Sequence, residues 1–134
     1  MPSDLSILRL HSTGARTGIE HVAPLAYWRL TDTAVAVLAS NRGAPRHPAW
    51  YHNLVANPVT TVEIGAETWT VRAHVADADE RTKIIRCLVA HSGLVRDAVS
   101  RTSREIPVVI LEMIARVRER DVSAGSSEMP AAGG

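Results

Sequence analysis

The sequence predicts a mainly β protein of the α+β class, a small antiparallel barrel of about six strands with flanking helices. Two observations support this fold class. Short runs of alternating or continuous apolar residues recur along the chain, and turn-forming residues separate pairs of them, as in β-hairpins. Helical patterns occur only between some of these runs, whereas a doubly wound α/β fold needs a helix after nearly every strand.

The first half of the chain contains three predicted strands. Residues 5–12 form the first, and residues 20–30 alternate well enough to form the second. Pro24 cannot donate a hydrogen bond to a neighbouring strand, so we expect it at a sheet edge or at a bulge. The apolar run AVAVLAS over 34–40 predicts a buried strand, and the turn TDT before it predicts a hairpin with the second strand.

The second half of the chain mixes helices and strands. Pro48 suits the first turn of a helix, where its missing N–H costs little, and Pro58 stops that helix. Asp77 or Asp79 is a suitable N-cap for a later helix. The predicted elements are a helix over 48–57, a hairpin of strands over 59–65 and 67–76, helices over 77–91 and 94–103, and a last strand over 106–114.

Composition restricts the class of protein. A chain of 134 residues with 46% hydrophobic and 22% charged residues is typical of one globular domain, which we assign to residues 1–122. Residues 123–134, SAGSSEMPAAGG, have too few large apolar side chains to pack, so they predict a disordered tail. The formal net charge of +1 does not favour non-specific nucleic-acid binding, and no apolar run is long enough for a membrane span.

The N-terminus and the cysteine count predict a compartment. No basic segment followed by an apolar core opens the chain, so no secretory signal is predicted. The single cysteine, Cys87, excludes an internal disulfide and suits a reducing environment, so we expect a cytoplasmic protein. Cys87 falls inside a predicted helix beside Leu88, where we expect it to be buried as an inert thiol.

Two segments that follow predicted strands carry the residue types of an anion site. TGARTG, residues 13–18, has two glycines that let backbone N–H groups converge, with Arg16 and two threonines as further donors. SNRGAPRHPAWYHNL, residues 40–54, combines flexible residues, two arginines and an aromatic pair. Together the segments favour a ligand that has both negative charge and a planar ring. A basic turn before an ordinary helix is the alternative that the composition leaves open.

Other site chemistries lack their sequence patterns. His47 and His52 are five residues apart, whereas metal-binding pairs on a helix face are three or four apart, so no metal site is predicted. No G-x-S-x-G elbow, G-x-G-x-x-G or G-x-x-x-x-G-K-[ST] pattern is present, which argues against a serine hydrolase, a dinucleotide fingerprint and a P-loop. Trp50 is equally compatible with a place in the core and a place in a cavity wall.

Three blocks of the chain carry a family pattern. They are TGARTG at 13–18, ASNRGAPRHPAWYHNLVANP at 39–58 and REIPVVIL at 104–111. The middle block is the specific one, because its residues are not expected in this order by chance. Over roughly residues 8–112 the chain thus resembles the deazaflavin-dependent nitroreductase family, the A group of the flavin/deazaflavin oxidoreductases.

The resemblance implies a split β-barrel, FMN-binding-like, that holds coenzyme F420, an 8-hydroxy-5-deazaflavin with a phosphate and an oligoglutamate tail. It also implies hydride transfer from the reduced coenzyme to a small organic acceptor, with no catalytic acid, base or nucleophile in the protein. The implied coenzyme-binding residues are Thr13, Gly14, Arg16, Thr17 and Gly18 in the phosphate loop, His21 and Pro24 after it, Ser40, Asn41, Arg42 and Gly43 beside the coenzyme, and Pro48, Ala49 and Trp50 near the ring.

The chain departs from the family pattern at several positions. Ala15 and Asn41 stand where many relatives have basic residues, although Arg42 and Arg46 are placed to compensate. His21 stands where arginine is common, which predicts weaker tail binding that depends on pH. The segment HSGLVRDAVSRTSRE lacks the tyrosine cluster of the relatives that reduce nitroimidazoles, so the resemblance does not extend to those substrates.

The resemblance leaves the acceptor open among nitro-aromatic compounds, quinones and conjugated enones. Two alternative functions also stay open, namely the same barrel holding FMN and a non-catalytic protein that binds or carries the deazaflavin. Turnover separates an enzyme from a carrier, because only an enzyme oxidises reduced F420 when an acceptor is added. We expect a small-molecule substrate as partner, no nucleic acid and no membrane span, and a homodimer stays open.

Overall fold

The computed structural model describes residues 6–41 and 44–117. Within these ranges the chain forms seven strands and three helices. In chain order they are β1 Ile7–Thr13, β2 Glu20–Ala26, β3 Trp28–Thr31, β4 Ala34–Leu38, α1 Ala49–Ala56, β5 Val59–Ile64, β6 Glu67–Val75, α2 Ala78–His91, α3 Gly93–Ser100 and β7 Val108–Val117.

One curled antiparallel sheet contains all seven strands, in the order β2-β1-β5-β6-β7-β4-β3. The strands at the two ends of this order, β2 and β3, follow each other in the chain and are separated only by Tyr27. Because β2 pairs with β1 and β3 pairs with β4, one segment connects the two edges of the sheet. The predicted mainly β fold with flanking helices is therefore confirmed, as a half-barrel.

The sheet has seven strands where about six are predicted, because the predicted strand over 20–30 is two strands. At Tyr27 the chain leaves β1 to pair with β4, and the Tyr27 N–H donates to the Ser6 carbonyl at 3.0 Å. Pro24 lies in β2 opposite Arg9, and β1 is the only partner of β2 in the sheet order. Its missing N–H is tolerated at such an edge, so the predicted edge position is confirmed.

β4 and β7 lie next to each other inside the sheet, and β4 and residues 108–111 of β7 are buried on both faces. Val35, Val109 and Leu111 belong to the main core inside the barrel. The alternating residues Ala36 and Ile110 form a second core against the apolar side chains of α2. Burial on both faces explains the unbroken apolar runs AVAVL and VVIL, and each fully buried Val or Leu contributes about 1.5–3 kcal/mol.

α1 packs its buried face into the main core. Trp50 and Leu54, one turn apart, are buried there together with Leu8 and Leu10 of β1. This packing brings α1 close to the TGARTG loop after β1, since Ala49 and Trp50 line one cavity together with Gly14 and Arg16. The fold therefore unites the two segments that the sequence predicts to form one site.

α2 and α3 begin at side-chain caps. Asp77 accepts a hydrogen bond from the Glu80 N–H and donates its own N–H to the Glu80 side chain, which forms a capping box. The Ser92 hydroxyl caps α3 by accepting from the Val95 N–H at 3.2 Å. α3 ends at Ser100, earlier than the predicted end at 103.

Cys87 is exposed, so the prediction of a buried thiol is wrong. α2 turns Leu88, Ile84 and Ile85 towards the sheet, and Cys87 lies off this narrow stripe. Sequence neighbours on a helix point in different directions, which is why the apolar residue beside Cys87 did not predict its burial.

The predictions on the C-terminal tail and on membrane spans have different outcomes. The tail predicted over 123–134, and the domain end at 122, lie outside the described residues. Among the helices of 6–41 and 44–117, none combines the length and apolarity that crossing a bilayer requires.

Candidate functional site

Three of the cavities next to α1 bear on the site. The loop cavity, of about 710 Å³, lies between the TGARTG loop and α1. The α3 cavity, of about 640 Å³, lies between β2, the start of α1 and α3. The arginine cavity, of about 910 Å³, lies between the segment 45–52 and the segment 104–107.

The TGARTG loop is a tight turn that needs both of its glycines. The Gly14 N–H donates to the Ile19 carbonyl at 2.8 Å, and the Gly18 N–H donates to the Gly14 carbonyl at 2.9 Å. Gly18 has a φ of 72°, in the left-handed region that glycine adopts without strain. A Cβ atom on Gly14 would lie 2.5 Å from the Thr17 hydroxyl oxygen, so a side chain there would displace the turn.

Asn53 of α1 joins this loop to the helix. Its side-chain oxygen accepts from the Ala15 N–H at 3.1 Å, and its amide nitrogen donates to the Ser12 hydroxyl at 3.2 Å. Asn53 and Ser12 are both buried, so the bond between them satisfies polar groups that water does not reach. Asn53 is absent from the predicted site residues. Its spacing three residues after Trp50, on the inward face of α1, is the signal that could have revealed it.

The loop cavity is rich in hydrogen-bond donors. Arg16, Thr17, His21 and His52 lie on its wall, which has no carboxylate from residues 6–41 or 44–117. In the described part of the chain, the amides of Arg16 and Thr17 donate to no protein oxygen, whereas the other amides between Gly14 and Ile19 do. Of the loop amides predicted to point towards a ligand, only those of Arg16 and Thr17 are therefore available to it. The donors on this wall suit an anion.

The α3 cavity has a different, mostly apolar wall. Trp28 and Leu38 form one side, and Leu94 and Ala98 of α3 form another. Trp50 and Ala23 line both this cavity and the loop cavity, so the two chambers adjoin at these residues. The chemistry of the second chamber suits a flat, apolar molecule.

An ion pair lies at the edge of the α3 cavity. Arg101 and Asp97 lie on its wall with their side chains 3.0 Å apart, and both are exposed. α3 belongs to the segment that lacks the tyrosine cluster of the nitroimidazole-reducing relatives. Its aliphatic side chains Leu94, Val95 and Ala98 therefore line the α3 cavity at that place.

The structure brings most of the predicted residues together. Gly14, Arg16, Thr17, His21, Ala49 and Trp50 line the loop cavity, and Pro24, Ser40, Asn41, Pro48 and Trp50 line the α3 cavity. Thr13 and Gly18 line neither cavity and belong to the frame of the loop. Arg42 and Gly43 lie outside the described residues.

Arg104 organises the segment between β4 and α1. It donates to the carbonyls of Ala39, Ser40, Ala44 and Arg46, at 3.0, 2.9, 2.9 and 3.2 Å, and to Nδ1 of His47 at 2.8 Å. Asn41 adds a bond from its side chain to the Arg46 carbonyl at 2.9 Å and has a φ of 49°, which asparagine tolerates. Arg104 stands in the third sequence block, yet the sequence pattern gave no sign that its role is to hold the middle block.

The bond from Arg104 fixes the tautomer of His47. A guanidinium only donates, so Nδ1 of His47 is the acceptor and the proton of the neutral ring is on Nε2. Burial, together with the charge of Arg104 and the nearby His52, lowers the pKa of His47. His47 is therefore a neutral ring that presents an N–H donor.

His11 lies on the opposite face of β1 from the core, between two carboxylates. Its Nδ1 contacts Glu20 of β2, and its Nε2 contacts Glu63 of β5, which also pairs with Arg9 at 3.4 Å. Burial opposes protonation of His11, but the bonds and charges of the two glutamates outweigh it and raise the pKa of the ring. This cluster ties three strands together at the base of the TGARTG loop.

Known proteins resemble the chain in sequence. The family model of the F420H(2)-dependent quinone reductases matches residues 2–113. An F420H(2)-dependent quinone reductase of Mycobacterium tuberculosis is 38% identical over 109 residues, which cover 78% of this chain and 71% of that protein.

Solved structures agree with this relationship. An F420-H2 dependent reductase of the A group is 30% identical, with a TM-score of 0.70 over 80% of this chain and 94% of that chain. A chain described as a domain-swapped dimer is 31% identical, with a TM-score of 0.70 over 81% of both chains. The resemblance carried by the three sequence blocks is confirmed, and the chain belongs to the F420H(2)-dependent quinone reductase family.

Proposed function

We propose that this protein is an F420-dependent oxidoreductase that reduces a quinone with a hydride from reduced F420. The observation that supports this most directly is that a donor-rich chamber and an apolar chamber adjoin at Trp50. Such a pair suits one ligand with an anionic arm and a planar ring. Family membership supports the same coenzyme and the same class of reaction.

We assign the anionic arm of the coenzyme to the loop cavity. Arg16 supplies a guanidinium, and the amides of Arg16 and Thr17 supply the donors that the turn leaves free. His21 lies on the same wall and adds a second nitrogen donor. Charge-assisted bonds of this kind are stronger than neutral ones, so we expect Arg16 to contribute most to affinity.

We assign the ring and the acceptor to the α3 cavity. Trp50 is only 9% exposed and is fixed by the core, so it offers a rigid wall against which a flat ring can be oriented. Ser40 and Asn41, held by the Arg104 network, lie beside Pro48 on the same cavity. When bound, reduced F420 supplies the hydride, and these residues bind it, orient it and exclude water.

The wall formed by α3 favours a quinone as acceptor. Leu94, Val95 and Ala98 offer apolar surface and no hydroxyl group to a substrate in the α3 cavity. A quinone can place its flat ring against this apolar surface, while Ser40 and Asn41 on the same cavity are polar neighbours for its carbonyl oxygens. The relative in Mycobacterium tuberculosis is named as a quinone reductase.

Turnover with defined acceptors tests the proposed reaction. Reduced F420 is mixed with the protein and either menadione, a nitro-aromatic compound or no acceptor, and the return of the fluorescence of oxidised F420 is followed. We expect fast oxidation with menadione, slower oxidation with the nitro compound and none without an acceptor. Tight binding without oxidation in any mixture would instead identify a carrier.

Parallel titrations with F420 and FMN test the choice of coenzyme. The positive charge of the loop cavity suits a tail with several carboxylates better than the single phosphate of FMN. We expect F420 to bind more tightly, and its affinity to fall as salt rises, because exposed charges are screened. Equal or tighter binding of FMN would contradict the assignment.

We further propose that the chain forms a homodimer. We also propose that it is located in the cytoplasm. The support for a dimer is the relative, 31% identical, that is described as a domain-swapped dimer. Light scattering after size-exclusion chromatography distinguishes a monomer of 14.5 kDa from a particle of twice that mass. Cell fractionation with antibodies against the protein tests the location.

A further inference from the structure

The arginine cavity is larger than the loop cavity and the α3 cavity, and the proposed reaction does not use it. It lies on the other side of α1 from the TGARTG loop, where the 45–52 segment faces the end of β6, the start of α2 and the 104–107 segment. Ala49 and His52 line both this cavity and the loop cavity, so only the exposed ridge of α1 separates them.

The wall of the arginine cavity concentrates positive charge. Arg46, Arg81 and Arg104 line it, and Glu105 is the one carboxylate that the described residues place on the wall. Glu105 lies 3.5 Å from Arg81, which leaves two of the three arginine charges without a carboxylate on this wall. Among the described residues Arg46 makes no ion pair, and its side chain is exposed.

The neutral groups of the wall are also donors. His47 accepts from Arg104 through Nδ1, so its Nε2 carries the proton that the cavity wall can donate. α1 begins at Pro48 with no side-chain cap and no acidic residue in its first turn, so the positive end of its dipole stays uncompensated. The arginine guanidinium groups, the N–H of His47 and the N-terminus of α1 all favour an anion, and none of these groups binds a metal cation.

We propose that the arginine cavity is a second anion site, which takes a ligand rich in carboxylates. The ligand is either the distal part of the oligoglutamate tail of the coenzyme, which reaches the cavity across Ala49 and His52, or a free oligocarboxylate. Only the first source rests on the proposed function. Arg46 is the recognition residue in both cases, because Arg81 and Arg104 are engaged by protein oxygens.

Calorimetry with tetra-γ-glutamate, at low ionic strength and without coenzyme, tests the site. We expect the peptide to bind the wild type and to bind Arg46→Ala about fivefold more weakly, the effect of about 1 kcal/mol at an exposed ion pair. Arg72→Ala is the matched control, because it removes an exposed arginine that lines none of the three cavities. Arg16→Ala is the second control, for binding of the peptide in the loop cavity.

Peptide binding by the wild type and the three arginine variants decides whether the second anion site exists. A loss in Arg46→Ala that exceeds the losses in Arg72→Ala and Arg16→Ala supports the site. No binding by the wild type, an equal effect of Arg46→Ala and Arg72→Ala, or a loss confined to Arg16→Ala overturns it. Because no coenzyme is present, these results do not depend on whether F420 is the hydride donor.

F420 with one glutamate and F420 with several glutamates then distinguish the two sources. If the tail occupies the cavity, the longer coenzyme binds the wild type more tightly, and Arg46→Ala abolishes the difference between the two forms. If the difference between the forms persists in Arg46→Ala while peptide binding is lost, the site takes a free oligocarboxylate. Failure of both coenzyme forms to bind would contradict the proposed function and would leave the peptide result standing.

Discussion

The side-chain oxygen of Asn53 accepts a hydrogen bond from the Ala15 N–H at 3.1 Å, and this bond makes the TGARTG loop and α1 one structural unit. The other end of the same amide donates to the Ser12 hydroxyl at 3.2 Å. The loop that we assign to the coenzyme's phosphate is therefore positioned by a residue that does not itself carry charge. Its geometry depends on the packing of α1, which in turn depends on Trp50 in the core.

Replacing Asn53 by alanine should loosen this unit. The change leaves the buried Ser12 hydroxyl without this partner, which costs about 1–3 kcal/mol of folding free energy, and it releases the Ala15 N–H. We expect a Tm lower by several degrees and F420 affinity weaker by about tenfold, since the loop loses its fixed position. Calorimetric melting and coenzyme titration measure the two effects.

Asn57→Ala is the control for Asn53→Ala. Asn57 is exposed at the end of α1, and its side chain donates to the Thr13 carbonyl only at 3.4 Å. This variant should keep the Tm and the coenzyme affinity close to those of the wild type. If Asn53→Ala bound F420 as tightly as Asn57→Ala does, the bond to Ala15 would not matter for the site.

The cluster of His11, Glu20 and Glu63 should make stability depend on pH. The pKa of His11 is raised, so its stabilisation is complete below the ordinary value of 6.5 and is lost as pH rises through the folded value. The pKa of Glu63 is lowered, chiefly by the bond to His11, so its contribution is present above 4.5 and is lost as pH falls. The cluster therefore stabilises the fold most between these two ordinary values.

His11→Gln tests this expectation. The Tm of the wild type should fall by a few degrees when the pH rises from about 6 to 8.5, as the stabilisation of roughly 1 kcal/mol from a partly exposed pair is lost. The variant should show a flatter profile over the same range. His74→Gln, which removes an exposed histidine 4.0 Å from Glu80, should keep the wild-type slope. Equal slopes in the wild type and in His11→Gln would contradict the role of the cluster.

The sequence predicts the elements of this fold better than it predicts their connections. The alternation over 20–30 reveals a strand, but an alternating pattern does not specify the change of partner at Tyr27, because partly buried and exposed residues alternate in β3 as they do before it. The hairpin around Gly65 is easier, since its two strands are adjacent in the chain and its turn residue has a φ of 61°.

The sequence also predicts the local parts of the candidate site better than its long-range contacts. Local patterns identify Arg16 and the two glycines of the TGARTG loop, because a turn and its donors are contiguous in sequence. Asn53 and Arg104 are different, since their bonds reach residues that are 38 and about 60 positions away. Such long-range partners depend on how the sheet curls, which no periodicity in the sequence specifies.

Replacing Arg104 should disturb the α3 cavity from a distance. Without its guanidinium, the carbonyls of the segment before α1 lose the donor that holds them together, and Ser40 loses its fixed place on the cavity wall. We expect Arg104→Ala to lower the free energy of unfolding by about 2 kcal/mol and to weaken coenzyme binding. Lysine should restore little, because one ammonium group cannot reproduce a planar fork with several donors.

The readout for Arg104 separates positioning from stability alone. At a temperature where both proteins are folded, Arg104→Lys should still show a lower rate of menadione reduction at saturating F420 than the wild type. Arg81→Lys is a useful comparison, since Arg81 also bonds a carbonyl, that of Ile106 at 2.8 Å, but does not hold the segment before α1. An equal rate for wild type and Arg104→Lys would limit Arg104 to a structural role.

Arg16→Ala is the most direct test of where the anionic arm of the coenzyme binds. Arg16 is exposed on the wall of the loop cavity, so its removal should leave the Tm unchanged. A charge-assisted bond to a phosphate contributes about 1.5–3 kcal/mol, so the Kd for F420 should rise by roughly 10- to 100-fold. Turnover at saturating coenzyme should change much less, because Arg16 lines the loop cavity and not the α3 cavity, to which we assign the ring. Arg16→Lys should recover part of the affinity as a point charge without the bidentate fork. If the Arg16→Ala protein is stable and binds F420 with wild-type affinity, the assignment of the phosphate to this loop is wrong.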